Sequence, residues 1–372
     1  MFDPISYLTW MHGRPPEATH NLGSSDLRPT PRGDGVVPEP LDGQDDPPAD
    51  TDLESQLAAE YDVAPERVLV TSGATHANVL AAAAAIDRRL ERSSDLFAEK
   101  PVDPQVVVET PGYEPLVATP EALGARVDRF QRPPGADYRL SATRVADAAT
   151  EALALATVTD RHNPSGRLAD PDRLADVAEA VADRDGLLLV DEVYAPYVTD
   201  PDPAAPFGGP SAVDLPNTLV SGSLTKFHGL GDIRVGWLVG PEEVVARARG
   251  AMTHLPFLPR TNRALARRAL AHERDLADDA RALVERNGDL LASFVEARDD
   301  LHGRVFPGST FAFLAHGEVD GDAVAAEAWE RGVLVVPGRF FGRSEAVRVS
   351  LGRDTASMRE GLDAFGAALD AV

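Results

Sequence analysis

Cysteine is absent from the 372 residues, and lysine nearly so. Without a thiol there is no disulfide, no cysteine nucleophile and no thiolate metal site. Lysine occurs only at Lys100 and Lys226, so almost all of the 36 basic residues are arginines. Long apolar runs are missing too. The best candidate, Val79 to Ile86, is an alanine-rich helical stretch far shorter than a bilayer span. The start, Met1-Phe2-Asp3-Pro4, lacks the basic region and apolar core of a signal peptide, which predicts a cytoplasmic protein. Positive charge is scarce: 60 acidic residues face 36 basic ones, a net charge of -24. That field repels phosphate, so neither nucleic acid nor an anionic membrane is expected as a partner. Acidic, lysine-poor surfaces resemble those of halophile proteins, in which salt screens the self-repulsion. In such a chain, a lysine kept inside an ordered motif calls for a chemical reason. Lys226 is placed that way. Lys100, beside Pro101 in a polar stretch, reads as a solvated loop charge.

The hydrophobic fraction of 43% is ample for a core. The length suits one large domain with a smaller companion, or two ordinary domains. Residues 1–50 are rich in Pro, Gly and Asp and read as an irregular arm. Leu53, Leu57 and Tyr61 mark an amphipathic helix. Short β-branched and leucine runs then alternate with helical stretches. Strands are expected at Arg67–Thr71, Gln105–Glu109, Ala152–Val158, Leu187–Val190 and Thr218–Ser221, with helices such as His76–Arg89 and Pro171–Arg184 between them. This alternation predicts a mostly parallel sheet flanked by helices. Val235–Val239 is a sixth strand. The 13 residues before it carry glycines and no helical pattern, so it is expected to run antiparallel. Residues 241–299 read as largely helical, with one long charged helix over Ala264–Glu285. Phe311–Leu314, Val333–Val336 and Val347–Leu351 read as strands of a smaller α+β domain. The expected division is an N-terminal arm over 1–50 that forms part of the small domain, a large domain over 51–270, and a linking helix with the C-terminal small domain over 271–372.

In an open parallel sheet, ligands bind beyond the carboxyl ends of the strands. Here five successive strand ends carry Thr71-Ser-Gly-Ala-Thr75, Thr110-Pro-Gly-Tyr113, Arg161-His-Asn-Pro-Ser-Gly166, Asp191-Glu-Val-Tyr194 and Ser221-Gly-Ser-Leu-Thr-Lys226. These should converge on one crevice. Each also has a plainer reading. Gly73-Ala74-Thr75 at a helix start could hold a phosphate on its backbone N–H groups, or simply be an N-cap. Tyr113 could stack on a ring or be half-buried. Asn163-Pro-Ser-Gly166 also fits an ordinary turn. Asp191, after four apolar residues, should be partly desolvated and need a cationic or N–H partner, unless it caps a helix. Gly229-Leu-Gly231 with Gly236 lacks the GxGxxG spacing, no GxxxxGK occurs, and the nine histidines form no zinc motif, so no metal is expected.

Taken together, these segments resemble the class I/II aminotransferases, the fold-type-I pyridoxal-phosphate enzymes. The resemblance spans nearly the whole chain. It rests on Ser72-Gly-Ala-Thr75, Pro111-x-Tyr113, Asn163-Pro-x-Gly166, Asp191-Glu-x-Tyr194, Ser223-x-Thr-Lys226 with Arg234, and Arg348-Val-Ser, in that order. It implies that Lys226 carries pyridoxal phosphate as a Schiff base and then serves as base and acid. Asp191 would pair with the pyridine nitrogen. Tyr194 and Asn163 would bond the ring oxygen, and Tyr113 would stack on the ring. Gly73, Ala74, Thr75, Ser223, Thr225 and Arg234 would hold the phosphate. Arg348 would grip the substrate carboxylate, with Asn163 and Gly23 beside the substrate. Many members also donate an arm tyrosine across a homodimer. Here Leu41-Asp-Gly-Gln-Asp-Asp-Pro-Pro has none, which puts that contact in doubt though not the dimer.

The implied activity is ping-pong transfer of an amino group between an α-amino acid and a 2-oxo acid. Decarboxylation, β- or γ-elimination and cyclisation share the scaffold, because the motifs do not fix which Cα bond breaks. A non-catalytic pyridoxal-phosphate sensor is a further alternative, though no DNA-binding extension is evident. A dicarboxylic substrate would need a second cation, for which His254, Arg260 and Arg339 are candidates.

Overall fold

The computed structural model describes residues 3–27, 35–92, 103–352 and 354–372, so Lys100 lies outside the described residues. Seven strands form the main sheet: β1 (Val68–Thr71), β2 (Gln105–Thr110), β3 (Arg126–Gln131), β4 (Leu153–Thr159), β5 (Leu187–Asp191), β6 (Thr218–Ser223) and β7 (Gly236–Val239). Their order is β1-β7-β6-β5-β4-β2-β3. β7 is antiparallel to both neighbours, as its short glycine-bearing connection predicts, and the other pairings are parallel. β4, β5 and β6 are buried along their whole length, as strands covered by helices on both faces must be. The helix that enters from β1, Ala74–Arg92, lays its buried alanines and Leu80 on one face of the sheet. Leu174, Val177 and Val181 of Pro171–Ala182 join the core on the other face.

The second, antiparallel sheet comprises β8 (Leu301–His302), β9 (Phe311–His316), β10 (Val336–Pro337) and β11 (Ala346–Ser350), in the order β10-β11-β9-β8. Its core runs through Phe311, Leu314, Val347, Val349 and Phe365. Among the described residues no helix is long and apolar enough to cross a membrane.

The structure departs from the sequence reading at four places. The arm is packed rather than irregular. It contains a short helix, α1 (Ser6–Met11), and buries Tyr7, Leu22, Leu27 and Leu41. These anchors stand singly among prolines and glycines, so no period announces them. The run Ala264–Glu285 is not one helix, because the chain breaks at His272 (φ -115, ψ 23) between Arg260–Ala271 and Glu273–Glu296. His272 is tied there to the carbonyl of Asp45 at 3.0 Å, a long-range contact that leaves periodicity intact. Val333–Val336 is shared between two sheets. Val333–Leu334 pairs with His20–Asn21, and Val336 pairs with β11. Finally, β3 (RVDRFQ) was not expected. It is an edge strand with exposed charged residues, so it shows no apolar face.

Candidate active site

β1, β4, β5 and β6 all point their carboxyl ends at one cavity of about 350 Å³. A parallel sheet places the loops after successive strands on the same edge, so residues far apart in sequence meet there. Gly73, Ala74, Thr75, Tyr113, Asn163, Asp191, Tyr194, Ser223, Thr225, Lys226, Arg234 and Arg348 all line it. Gly23 does not. It reaches the site through its carbonyl, which accepts from Arg348 Nη2 at 2.9 Å.

One end of the cavity is a cradle of backbone. Gly73 has φ +92, and a side chain there would point into open space. The helix beginning at Ala74 presents its free N–H groups beside it, which suits an anion. Gly236 backs the cradle so closely that a Cβ would lie 2.5 Å from Gly73 C and 2.6 Å from Ala74 N. Ser223 at the end of β6, and Thr225 and Arg234 from the β6–β7 connection, line the same cavity. Arg234 itself has left-handed backbone (φ 48, ψ 48).

Asp191 ends β5 and is 5% exposed. Its Oδ2 accepts from Asn78 Nδ2 at 2.9 Å and its Oδ1 from the Val193 N–H at 3.3 Å. Burial pushes its carboxyl up to about 6, against the opposing pull of the Asn78 hydrogen bond. A carboxylate this desolvated is suited to a cationic N–H partner in the cavity. Lys226 Nζ donates to Ser25 Oγ at 3.2 Å, and the same hydroxyl lies 2.8 Å from Tyr194 Oη. Burial is the largest influence on Lys226 and acts downward. Tyr194, Asp26 and Tyr7 together outweigh it, so the amine is shifted upward.

Arg348 projects from β11 and is 1% exposed. Its Nη1 donates to Asn163 Oδ1 at 2.8 Å, and its Nη2 reaches Tyr7 Oη at 3.3 Å. Phe311 and Phe341 flank the guanidinium at 5.2 and 5.0 Å. Its Nε has no protein partner among the described residues. Tyr7 meets the ring of Tyr113 edge-on at 5.5 Å, and burial raises the Tyr113 phenol well above its ordinary value. Behind the wall, Glu109 and Arg132 form a fully buried pair at 2.7 Å. His162 bridges Ser165 Oγ and the Pro111 carbonyl, and burial holds it well below the usual histidine range.

Ser25, Asn78, Tyr7, Leu8 and Met11 escaped the sequence reading. Asn78 had a signal, since it lies one helical turn after Ala74. Ser25 sat inside the Asn21–Asp26 segment, where attention fell on Gly23. The α1 residues had none. His254, Arg260 and Arg339 do not line the cavity. The segment without the arm tyrosine lies along Arg260–Ala271, where Arg268 bonds Asp46 and Arg267 bonds the Pro48 carbonyl. Among the described residues no cluster of three or more His, Asp or Glu could hold a metal ion.

Residues 45–365 match the family model described as aminotransferase class I and II. Capreomycidine synthase of Streptomyces vinaceus is 30% identical over 70% of this chain and 67% of its own length. Histidinol-phosphate aminotransferase of Halorubrum lacusprofundi is 28% identical over 81% of this chain and 75% of its own. A solved pyridoxal-phosphate-dependent aminotransferase from Streptococcus suis superposes with a TM-score of 0.82 at 20% identity, covering 100% of this chain and 98% of the other.

Proposed function

The chain belongs to the class I and II aminotransferases, and on that premise we propose that its cavity holds pyridoxal phosphate on Lys226 and moves an amino group between an α-amino acid and a 2-oxo acid. The donor set fits the cofactor. An amine, a buried acid and an open glycine cradle at a helix start stand in one cavity, and that conjunction carries the reading. When bound, the cofactor supplies an electron sink for the charge that develops at the substrate Cα.

The protein residues then have separable tasks. Gly73, Ala74 and Thr75, with Ser223, Thr225 and Arg234, would hold the phosphate. Asp191, oriented by Asn78, would keep a proton on the ring nitrogen. Tyr113 would stack on the ring, while Tyr194 and Asn163 would hold the ring oxygen. Arg348 binds the substrate carboxylate as a guanidinium already aimed by Asn163 and Gly23. Lys226 Nζ would take the Cα proton and hold it. Ping-pong kinetics follow, because the amino group waits on the enzyme between the two substrates. The homodimer and the cytoplasmic location belong to the same proposal, and the net charge of -24 supports work in high salt.

The test is spectroscopic. Adding pyridoxal phosphate should produce a visible absorption band, and borohydride should then attach the cofactor to the peptide containing Lys226. A colourless protein, or label on Lys100, would refute the assignment. A second reading is a different bond change on the same cofactor. It is favoured by one relative being named a synthase rather than a transaminase. A keto-acid product with an amine form of the cofactor supports transfer, and release of ammonia or carbon dioxide supports the other.

A further inference from the structure

Once the residues proposed to hold the cofactor are set aside, the cavity wall beside Arg348 and Ser25 keeps Thr159 and Val193 and three further side chains. The three are Tyr7, Leu8 and Met11, all from α1. Met11 lies one turn from both Tyr7 and Leu8 and stands between them on the helix surface. The helix is fixed against the wall. Glu114, next to Tyr113, accepts from the backbone N–H of Ser6 at 3.2 Å and of Tyr7 at 2.6 Å. Tyr7 is buried edge-on against both Tyr113 and Phe340, and its hydroxyl meets Arg348. So α1 stands in a set position relative to the guanidinium assigned to the carboxylate.

The charges of the cavity are already committed. Its ionisable lining residues besides tyrosine are Asp191, Lys226, Arg234 and Arg348. Asp191 is held by Asn78 and Val193, Lys226 by Ser25, and Arg348 by Asn163 and Gly23. Arg234 is assigned to the phosphate. A guanidinium, an ammonium, a second carboxylate or a phosphate on the substrate side chain would find no counter-ion left among the described lining residues. Burying a charge without a partner is strongly disfavoured. Leu8, by contrast, is 43% exposed, an apolar surface at the cavity with room to be covered.

We propose that the amino donor of this enzyme carries an uncharged, apolar side chain, aliphatic or aromatic, which packs on Leu8 and Met11 beside Tyr7. This rests on the cofactor reading above and adds the substrate class to it. Leu8 and Met11 set specificity, and Glu114 is a positioning residue that holds α1 in place.

The experiment uses the full chain loaded with pyridoxal phosphate. Decay of the visible band is followed with leucine, phenylalanine and methionine, and with aspartate, arginine and histidinol phosphate, at equal sub-saturating concentrations. The apolar donors should react at least about tenfold faster, the scale on which one or two methylenes are discriminated in an apolar pocket. Leu8→Asp and Met11→Ala should each lower the leucine rate relative to the alanine rate by about the same factor. Calorimetric titration with unreactive acids, isocaproate against glutarate, should give the same order without turnover. A loaded protein that prefers a charged donor, or a leucine-to-alanine ratio unmoved by both variants, overturns this inference alone. A protein that never forms the band overturns the cofactor reading and this one with it.

Discussion

Asp191→Asn separates what the cavity costs the fold from what it does. Asp191 is almost fully buried, and its carboxyl is raised from 3.8 to about 6, chiefly by burial. At 1.36 kcal/mol per unit, that rise corresponds to a penalty of about 3 kcal/mol for the ionised carboxylate in the cofactor-free protein. The folded value lies above the unfolded one. Below about pH 3.8 both states carry the proton and the group costs nothing; above about pH 6 both are ionised and the whole penalty applies. Asparagine never ionises; its single oxygen can keep the Val193 N–H, and its NH2 can donate to Asn78 once that amide turns its oxygen inward. The cofactor-free variant should therefore be more stable than wild type at pH 8, with about 3 kcal/mol as a ceiling, and the gap should close as the pH falls from 6 to 4. Urea unfolding of both cofactor-free proteins at pH 8 and pH 4.5 measures it. The same variant should bind pyridoxal phosphate more weakly, because the ring nitrogen loses its anion. A variant no more stable than wild type at pH 8, or a gap that persists in acid, would show that Asp191 is not strained by its burial.

Gly236→Ala would place a Cβ within 2.6 Å of the backbone of Gly73 and Ala74, which cannot rotate away as a side chain could. It should raise the dissociation constant for pyridoxal phosphate by more than about tenfold and lower the melting temperature by several degrees, and wild-type affinity in equilibrium titration would contradict the cradle. Ser25→Ala removes the hydroxyl that accepts from Lys226 Nζ and touches Tyr194. Losing that acceptor should lower the Lys226 pKa, so acylation of the cofactor-free protein, read on the Lys226 peptide by mass spectrometry, should be about fivefold faster at pH 8–9. An unchanged labelling rate would show that the contact does not act on the amine.

The residues proposed to hold the cofactor were legible because they sit at strand ends, where continuous apolar runs stop and turn chemistry begins. Gly73, Asn163, Asp191 and Lys226 each follow such a run, so their convergence could be anticipated from topology alone. The antiparallel β7 was legible for a similar local reason, namely a connection too glycine-rich for a crossover helix. The illegible parts depend on long-range contacts. Tyr7 becomes an active-site residue only because Glu114, 107 positions away, caps its helix. His272 breaks a helix by reaching Asp45, and no Pro or Gly marks the place. β3 escaped because an edge strand with charges on both faces has no apolar alternation to detect.

This division has a mechanical consequence. The cofactor side of the cavity is built from short loops clamped between paired strands, and Gly236 shows how little room they have. The proposed substrate side rests on six residues of α1, joined to the rest by the carboxylate of Glu114, the rings of Tyr7 and Trp10, the packing of Met11 and one contact to Arg348. A substitution in the first part disturbs backbone and therefore both fold and cofactor. A substitution at Leu8 changes a half-exposed side chain on a helix surface and little else. Donor preference can thus change through α1 without disturbing the machinery that every donor uses. Loosening Glu114 should blur that preference, since Leu8 and Met11 would no longer stand at a fixed distance from Arg348.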